Sequence, residues 1–159
     1  MKGENQMEWA TLPLKKYAEF NGRSRRKEYW MYVLLLIVVG IVIGIVESLL
    51  GLRGMVAGLY GPLSLLFMLA TFIPSLAVGV RRLHDTNRSG WWLLIGYGPF
   101  LLSLVATFLG SLSLAMILSL VGLVGFIVLL VFMVLEGNRG PNQYGADPKG
   151  AEAAAATAG

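Results

Sequence analysis

Residues 91–135 contain no charged side chain, and this apolar stretch limits the possible folds more than any other feature. A helix that crosses a bilayer needs about 20 apolar residues. The stretch is therefore too long for one helix and predicts two, with Gly110 and Ser111 as the division. Only 14% of the chain is charged, against about 25% in a soluble domain. We therefore expect an integral membrane protein.

Two more apolar stretches precede this one and complete the predicted architecture. The expected class is an all-α membrane protein with four transmembrane helices at about residues 30–50, 55–80, 91–109 and 112–135. Residues 30–136 then form one transmembrane domain. It is flanked by an N-terminal segment, residues 1–29, and by a C-terminal tail, residues 137–159, whose end is expected to be disordered.

The distribution of basic residues predicts the orientation of these helices. Twelve of the 13 lysine and arginine residues lie in the two terminal segments and in the loop between the second and third helices. Arg53 alone lies in a loop on the other side. Because cytoplasmic loops retain lysine and arginine, both termini are expected in the cytoplasm.

The N-terminal segment is expected to lie on the membrane rather than to direct secretion. Charges run through all of its length, which argues against a signal peptide. In residues 12–20, Leu14, Tyr17 and Phe20 fall roughly on one side of a helix, with charged residues elsewhere. This pattern predicts a short interfacial helix.

Three polar segments carry a family resemblance: residues 20–30, residues 81–92 with Pro74 ahead of them, and residues 140–148. In this order they resemble the signatures of the bacterial inner-membrane family called domain of unknown function 805. The resemblance implies a small multi-span protein of the bacterial cytoplasmic membrane and assigns it no catalytic activity. Asn87 stands where we expect a glycine in that family, and asparagine is the next best residue for a left-handed turn.

Two arginine clusters are the candidate binding residues. Guanidinium groups bind phosphate bidentately, so a site for anionic lipid headgroups, cardiolipin for example, or for a membrane-complex partner is one interpretation. The alternative is that these charges only set topology and pair with nearby carboxylates. The candidates are Arg23, Arg25, Arg26, Arg81, Arg82 and Arg88.

The remaining unusual residues are expected to have structural roles. His84 and Asp85 suggest acid–base chemistry, but no nucleophile is evident beside them, and one histidine is poor material for a metal site. No cofactor motif and no nucleic-acid recognition fold is evident. A structural cytoplasmic cluster is predicted instead, formed by His84, Asp85, Trp91, Trp92 and Tyr144.

These observations predict a non-enzymatic accessory or interaction component of the membrane. An oligomeric channel or small transporter is the alternative, and a lipid-acting enzyme that uses His84 and Asp85 is the third possibility. A homo-oligomer is also open, because Gly40 and Gly44 form a Gly-x-x-x-Gly pattern that favours close helix packing, within the chain or between copies.

Overall fold

The computed structural model describes residues 6–55 and 60–150, and this part of the chain is helical without a named strand. A 3₁₀-helix at Gly90–Leu93 precedes the fourth α-helix. The α-helices are α1 (Gln6–Lys15), α2 (Arg26–Leu49), α3 (Pro62–Asp85), α4 (Leu94–Phe108) and α5 (Leu112–Val134). Four helical stretches, at 26–49, 62–85, 90–108 and 112–134, are long and apolar enough to cross a membrane. The predicted all-α class with four such helices is confirmed.

The described residues divide into two compact units. The first comprises residues 6–20, 27–55 and 60–78, which hold α1, nearly all of α2 and most of α3. The second comprises residues 21–26 and 79–150, which hold the last turns of α3, α4, α5 and the polar segments. Large aliphatic side chains are exposed along all four long helices, as expected for surfaces in contact with lipid.

In the first unit, polar side chains tie α2 to α3. The hydroxyl of Tyr32 lies 3.3 Å from Ser75 Oγ, and Tyr17 donates to the carbonyl of Ala70 at 2.8 Å. Glu47 accepts from the backbone N–H of Ser64 at 2.8 Å and from its hydroxyl at 2.5 Å. The Glu47 carboxylate thereby satisfies a backbone donor in the first turn of α3, where intrahelical partners are lacking.

In the second unit, glycines bring α4 and α5 into direct backbone contact. A β-carbon added at Gly125 would lie 2.0 Å from the Ile95 carbonyl oxygen, and one at Gly122 would lie 3.2 Å from the Phe100 nitrogen. Small residues permit this approach between membrane helices. By contrast, a β-carbon at Gly40 or Gly44 would meet nothing within 4 Å. The predicted Gly-x-x-x-Gly pattern is therefore not used for packing in the described part of the chain.

The short N-terminal helix lies earlier than the range predicted for it. The apolar pattern placed it at residues 12–20, whereas α1 covers Gln6–Lys15 and a turn follows. Tyr17 lies in that turn, and its side chain bonds to Ala70. Gly22, with φ of +83°, comes shortly after. A left-handed glycine of this kind is incompatible with a continuing helix.

The second long helix also differs from its predicted range of 55–80. Helix α3 begins at Pro62, a residue suited to the first helical turn. Residues 56–59 of the predicted span lie outside the described residues. At its other end α3 continues through Arg81 and Arg82 to Asp85. The helix continues there because both arginine side chains are buried in the protein, and so their charges do not force the chain into a loop.

Two turns follow their sequence predictions. Asn87 has φ of +57°, the left-handed conformation expected of it, and Gly110, with φ of +79°, separates α4 from α5. The expected disorder of the chain end falls on residues 151–159, outside the described residues.

Candidate functional site

Asp85, the last residue of α3, is the centre of a buried polar cluster in the second unit. Its Oδ1 lies 3.1 Å from Nε and 3.0 Å from Nη2 of Arg23. Its Oδ2 accepts from Nη1 of Arg82 at 2.5 Å, one helical turn earlier. All three side chains are almost fully buried. Buried charges persist only when they are paired and hydrogen-bonded, so this carboxylate holds two guanidinium groups in place.

The two guanidinium groups also bind the chain that leaves α5. Arg23 donates to the carbonyls of Gly140 at 2.6 Å and Asn138 at 2.5 Å. Arg82 donates to the carbonyl of Met133 at 3.2 Å and to that of Leu135. Arginine suits this role because its planar group offers five donors in fixed directions. The cluster therefore fastens residues 136–149, called the closing segment below, to the end of α3.

Gly137 makes this attachment sterically possible. A β-carbon there would lie 1.9 Å from Asp85 Oδ2. The next residue, Asn138, donates its backbone N–H to the carbonyl of Asp85 at 2.8 Å. The closing segment thus lies against the end of α3 at a distance that only glycine permits.

His84 belongs to the same structural arrangement. Its ring stacks on Tyr144 with centroids 3.8 Å apart and planes 3° from parallel. Its Nδ1 lies 3.1 Å from the Gly22 carbonyl, so Nδ1 is the protonated nitrogen because a carbonyl only accepts. Asn142 donates to the backbone carbonyl of His84 at 2.9 Å. Since the Asp85 carboxylate bonds to Arg23 and Arg82 instead, it does not orient this imidazole as a catalytic pair requires.

The closing segment is further ordered by Asp147. Its two carboxylate oxygens accept from the backbone N–H of Gly140 at 2.8 Å and of Lys149 at 2.9 Å. Hydrogen bonds from Lys149 and then Gly140 favour the ionised carboxylate and hold the pKa of Asp147 below its usual value. The side chain thus closes a loop within the segment.

The structure separates the six candidate arginines by exposure. Arg23, Arg81 and Arg82 are buried, and Arg25 is half-buried and donates to the carbonyl of Pro148. Arg88 lies over the Phe132 ring, with its guanidinium carbon 4.2 Å from the ring centroid, and is also half-buried. Arg26 alone of the six is exposed. The expected clusters therefore turn most of their guanidinium groups toward the protein.

Trp91 and Trp92, the two tryptophans of the predicted structural cluster, have contact partners different from those of Asp85. Both belong to the 3₁₀-helix, which Ser89 caps by accepting from the Trp91 backbone N–H. Trp92 packs edge-on against Phe132, with centroids 5.3 Å apart. Trp91 is exposed. An exposed tryptophan at a helix start suits the membrane interface.

Three exposed cations surround one carboxylate where α5 ends, and sequence reasoning overlooked most of this group. Glu136 Oε1 lies 3.2 Å from Lys149 Nζ and 3.6 Å from Arg26 Nη2. The hydrogen bond and charge of Lys149, then the charges of Arg26 and Arg139, lower the pKa of Glu136. We call Arg26, Arg139 and Lys149 the basic rim. The sequence feature that could have indicated this group is its position. Glu136 directly follows the last apolar stretch, and Arg139 lies three residues further along.

Two residues of the basic rim border an open groove in the second unit. The groove has a volume of about 1000 Å³, and its lining includes Arg139 and Lys149 together with Asp85, Glu136 and Asp147. Across the described ranges 6–55 and 60–150, no three histidine, cysteine or acidic side chains are grouped as a metal site requires. The exposed chemistry of this region is therefore that of cations and carboxylates at the edge of a groove.

Comparisons with known proteins agree with the architecture. Residues 17–146 match the family described as "Protein of unknown function (DUF805)". The chain is 42% identical to inner membrane protein YhaI of Escherichia coli K12 over 90% of this chain and 97% of that protein. It is 36% identical to inner membrane protein YhaH of the same strain, over 90% and 98% of the two chains. No solved structure matches. With three polar signatures, four apolar helices and these relatives, the chain belongs to the DUF805 family of membrane proteins.

Proposed function

We propose that the protein is a non-enzymatic accessory component of the bacterial inner membrane whose basic rim binds anionic lipid headgroups. The supporting observation is that the cations of the protein fall into a buried group and an exposed group. The buried guanidinium groups of Arg23 and Arg82 are occupied by Asp85 and by backbone carbonyls, whereas the rim cations are exposed. Recognition of an external anion therefore falls to the rim.

The position of the rim favours lipid as the source of that anion. Arg26 is the first residue of α2, and Arg139 follows the end of α5 by a few residues. Because both helices are long enough to span the bilayer, their ends lie at the depth of the headgroups. Basic residues at that depth are attracted to anionic lipids by about 1 kcal/mol each. Two or three such residues at one place therefore favour an anionic headgroup over a neutral one by about 2–3 kcal/mol.

The orientation proposed for this face is cytoplasmic. The supporting observation is the distribution of lysine and arginine, twelve against one, between the two sides of a four-span chain. An even number of spans returns the chain to the side where it started. The contacts of Arg23 with Asp85 and Gly140 agree with this parity, because they join all three polar segments.

An accessory role is preferred over catalysis because His84 and Asp85 are occupied. The imidazole bonds to Gly22 and stacks on Tyr144, while the carboxylate binds two guanidinium groups. A general base needs a geometry that reaches its substrate. The arrangement of His84 and Asp85 therefore favours a structural role over a catalytic one.

Native mass spectrometry of the detergent-purified protein tests the proposal. We expect cardiolipin to bind more tightly than phosphatidylcholine, and Arg26→Gln to weaken cardiolipin binding about threefold to tenfold. Arg53→Gln is the matched control, since Arg53 is an exposed arginine beyond the other end of α2. Equal affinity for both lipids, or equal effects of the two substitutions, would refute the proposal.

A further inference from the structure

Glu136 occupies the position that a headgroup phosphate would take in the basic rim. A single oxygen of its carboxylate, Oε1, lies within 4 Å of cationic nitrogens of both Lys149 and Arg26. A phosphate oxygen between the same two cations would make the same contacts, because lysine and guanidinium donors bind both groups. The chain therefore supplies an anion of its own at this position.

The contacts of Glu136 are of the kind that an external anion can displace. Side-chain exposure is 57% for Glu136, 47% for Lys149 and 44% for Arg26. Ion pairs this exposed are weak because water screens them and long side chains lose freedom in forming them. The backbone on both sides of Glu136 is held, since the Leu135 carbonyl binds Arg82 and Gly137 lies against Asp85, whereas the Glu136 side chain is exposed and can turn toward water.

The charges of the group fit a competitive role. Arg26, Arg139 and Lys149 contribute three positive charges and Glu136 one negative charge, with a second negative charge from Asp147 beside Lys149. The lowered pKa of Glu136 keeps its carboxylate ionised at neutral pH. An incoming anion must therefore replace a charged group rather than fill an empty position. Loss of that charge strengthens the field that the three cations present to a headgroup.

We propose that Glu136 is an internal competitor that limits binding of phosphate-bearing lipid headgroups to the basic rim. This inference rests on the proposed lipid-binding function, and it assigns the control of that site to one carboxylate. A headgroup enters by displacing Glu136 from Lys149 and Arg26, so Glu136 lowers the affinity of the site for any single phosphate. Densely anionic lipid then competes better than dilute phosphate in solution.

Titration of cardiolipin into the full-length protein, followed by native mass spectrometry, tests this role. We expect Glu136→Gln to bind cardiolipin about threefold to tenfold more tightly than the parent protein. Glu19→Gln is the matched control. It removes an exposed carboxylate that pairs with Lys16 at 3.7 Å, and it changes the net charge equally. The control should bind cardiolipin like the parent, and both variants should keep its melting temperature.

The outcomes distinguish this inference from the proposed function. If the parent binds cardiolipin selectively and Glu136→Gln gives no gain, the competitor role is overturned and lipid binding stands. An equal gain in Glu19→Gln overturns it as well, since net charge alone would explain the result. If neither the parent nor Glu136→Gln binds cardiolipin selectively, both proposals are rejected. Excess inorganic phosphate should displace little cardiolipin, and complete displacement would overturn the assignment to lipid.

Discussion

At the scale of single residues, the buried polar cluster depends on one carboxylate, that of Asp85, shared by two buried guanidinium groups. Asp85 bonds to Arg23 and Arg82. The remaining donors of Arg23 reach backbone carbonyls of the closing segment, and those of Arg82 reach carbonyls at the end of α5. The abundance of arginine over lysine in these segments suggested phosphate recognition. The same planar donor geometry serves carbonyl oxygens equally well. The sequence gives no sign of which acceptor is used, because backbone carbonyls exist at every position.

Replacement of Asp85 by asparagine should be strongly destabilising. The variant leaves two buried guanidinium groups without their shared carboxylate, and such a loss costs about 3–5 kcal/mol. We expect a correspondingly lower melting temperature in detergent and faster proteolysis of the closing segment. Glu19→Gln, which removes an exposed carboxylate, should change the free energy of unfolding by less than about 0.5 kcal/mol. Similar stability of the two variants would show that the Asp85 cluster is not structural.

At the scale of elements, apolar length predicts the spanning helices well and predicts their ends poorly. Helix α5 occupies Leu112–Val134, close to its apolar stretch. Helix α3 departs from its apolar stretch by beginning at Pro62 and continuing through Arg81 and Arg82. A helix end depends on whether polar residues find partners inside the protein, and one sequence does not reveal those partners. The glycines that pack α4 on α5 were missed because one sequence does not reveal which helix faces lie against each other.

The contact of α4 with α5 makes a prediction about glycine. Gly125→Ala would place a methyl group 2.0 Å from the Ile95 carbonyl oxygen, and overpacking of this kind costs about 1–3 kcal/mol. Gly44→Ala meets nothing within 4 Å and is the matched control. Thermal unfolding in detergent should separate the two variants. A stable Gly125→Ala protein would contradict the observed approach of the helices.

The closing segment should loosen in acid. The pKa values of Glu136 and Asp147 lie below their ordinary values of 4.5 and 3.8 in the folded protein. The ionised Asp147 carboxylate, which accepts from two backbone N–H groups, therefore stabilises the folded segment above its ordinary pKa, and this contribution is lost as pH falls through the lowered pKa. Glu136, whose ion pairs are exposed, contributes little. Hydrogen exchange of amides 137–149, corrected for intrinsic rates, should stay slow from about pH 8 to 5 and accelerate below about pH 4. Asp147→Asn should already exchange faster at neutral pH, and an unchanged rate would refute this role.

At the scale of the whole molecule, three distant chain segments are expected at one membrane face. Four apolar helices and a basic distribution of twelve against one predicted this from sequence. The contacts of Arg23 with Asp85 and Gly140 agree with the shared location. The distribution of lysine and arginine decides which side of the membrane these segments face, because the helices pack in the same way in either orientation. Localisation in the inner membrane agrees with the relatives YhaI and YhaH.

Labelling of single cysteines in intact cells with a membrane-impermeant thiol reagent tests this arrangement most directly. The chain has no cysteine of its own, so each introduced thiol reports one position. We expect Ser89→Cys and Gly150→Cys to be protected until the cells are opened, and Arg53→Cys to react from outside, because Arg53 is exposed beyond the far end of α2. Labelling of Ser89→Cys from outside, or opposite behaviour of Ser89→Cys and Gly150→Cys, would contradict a single cytoplasmic polar face.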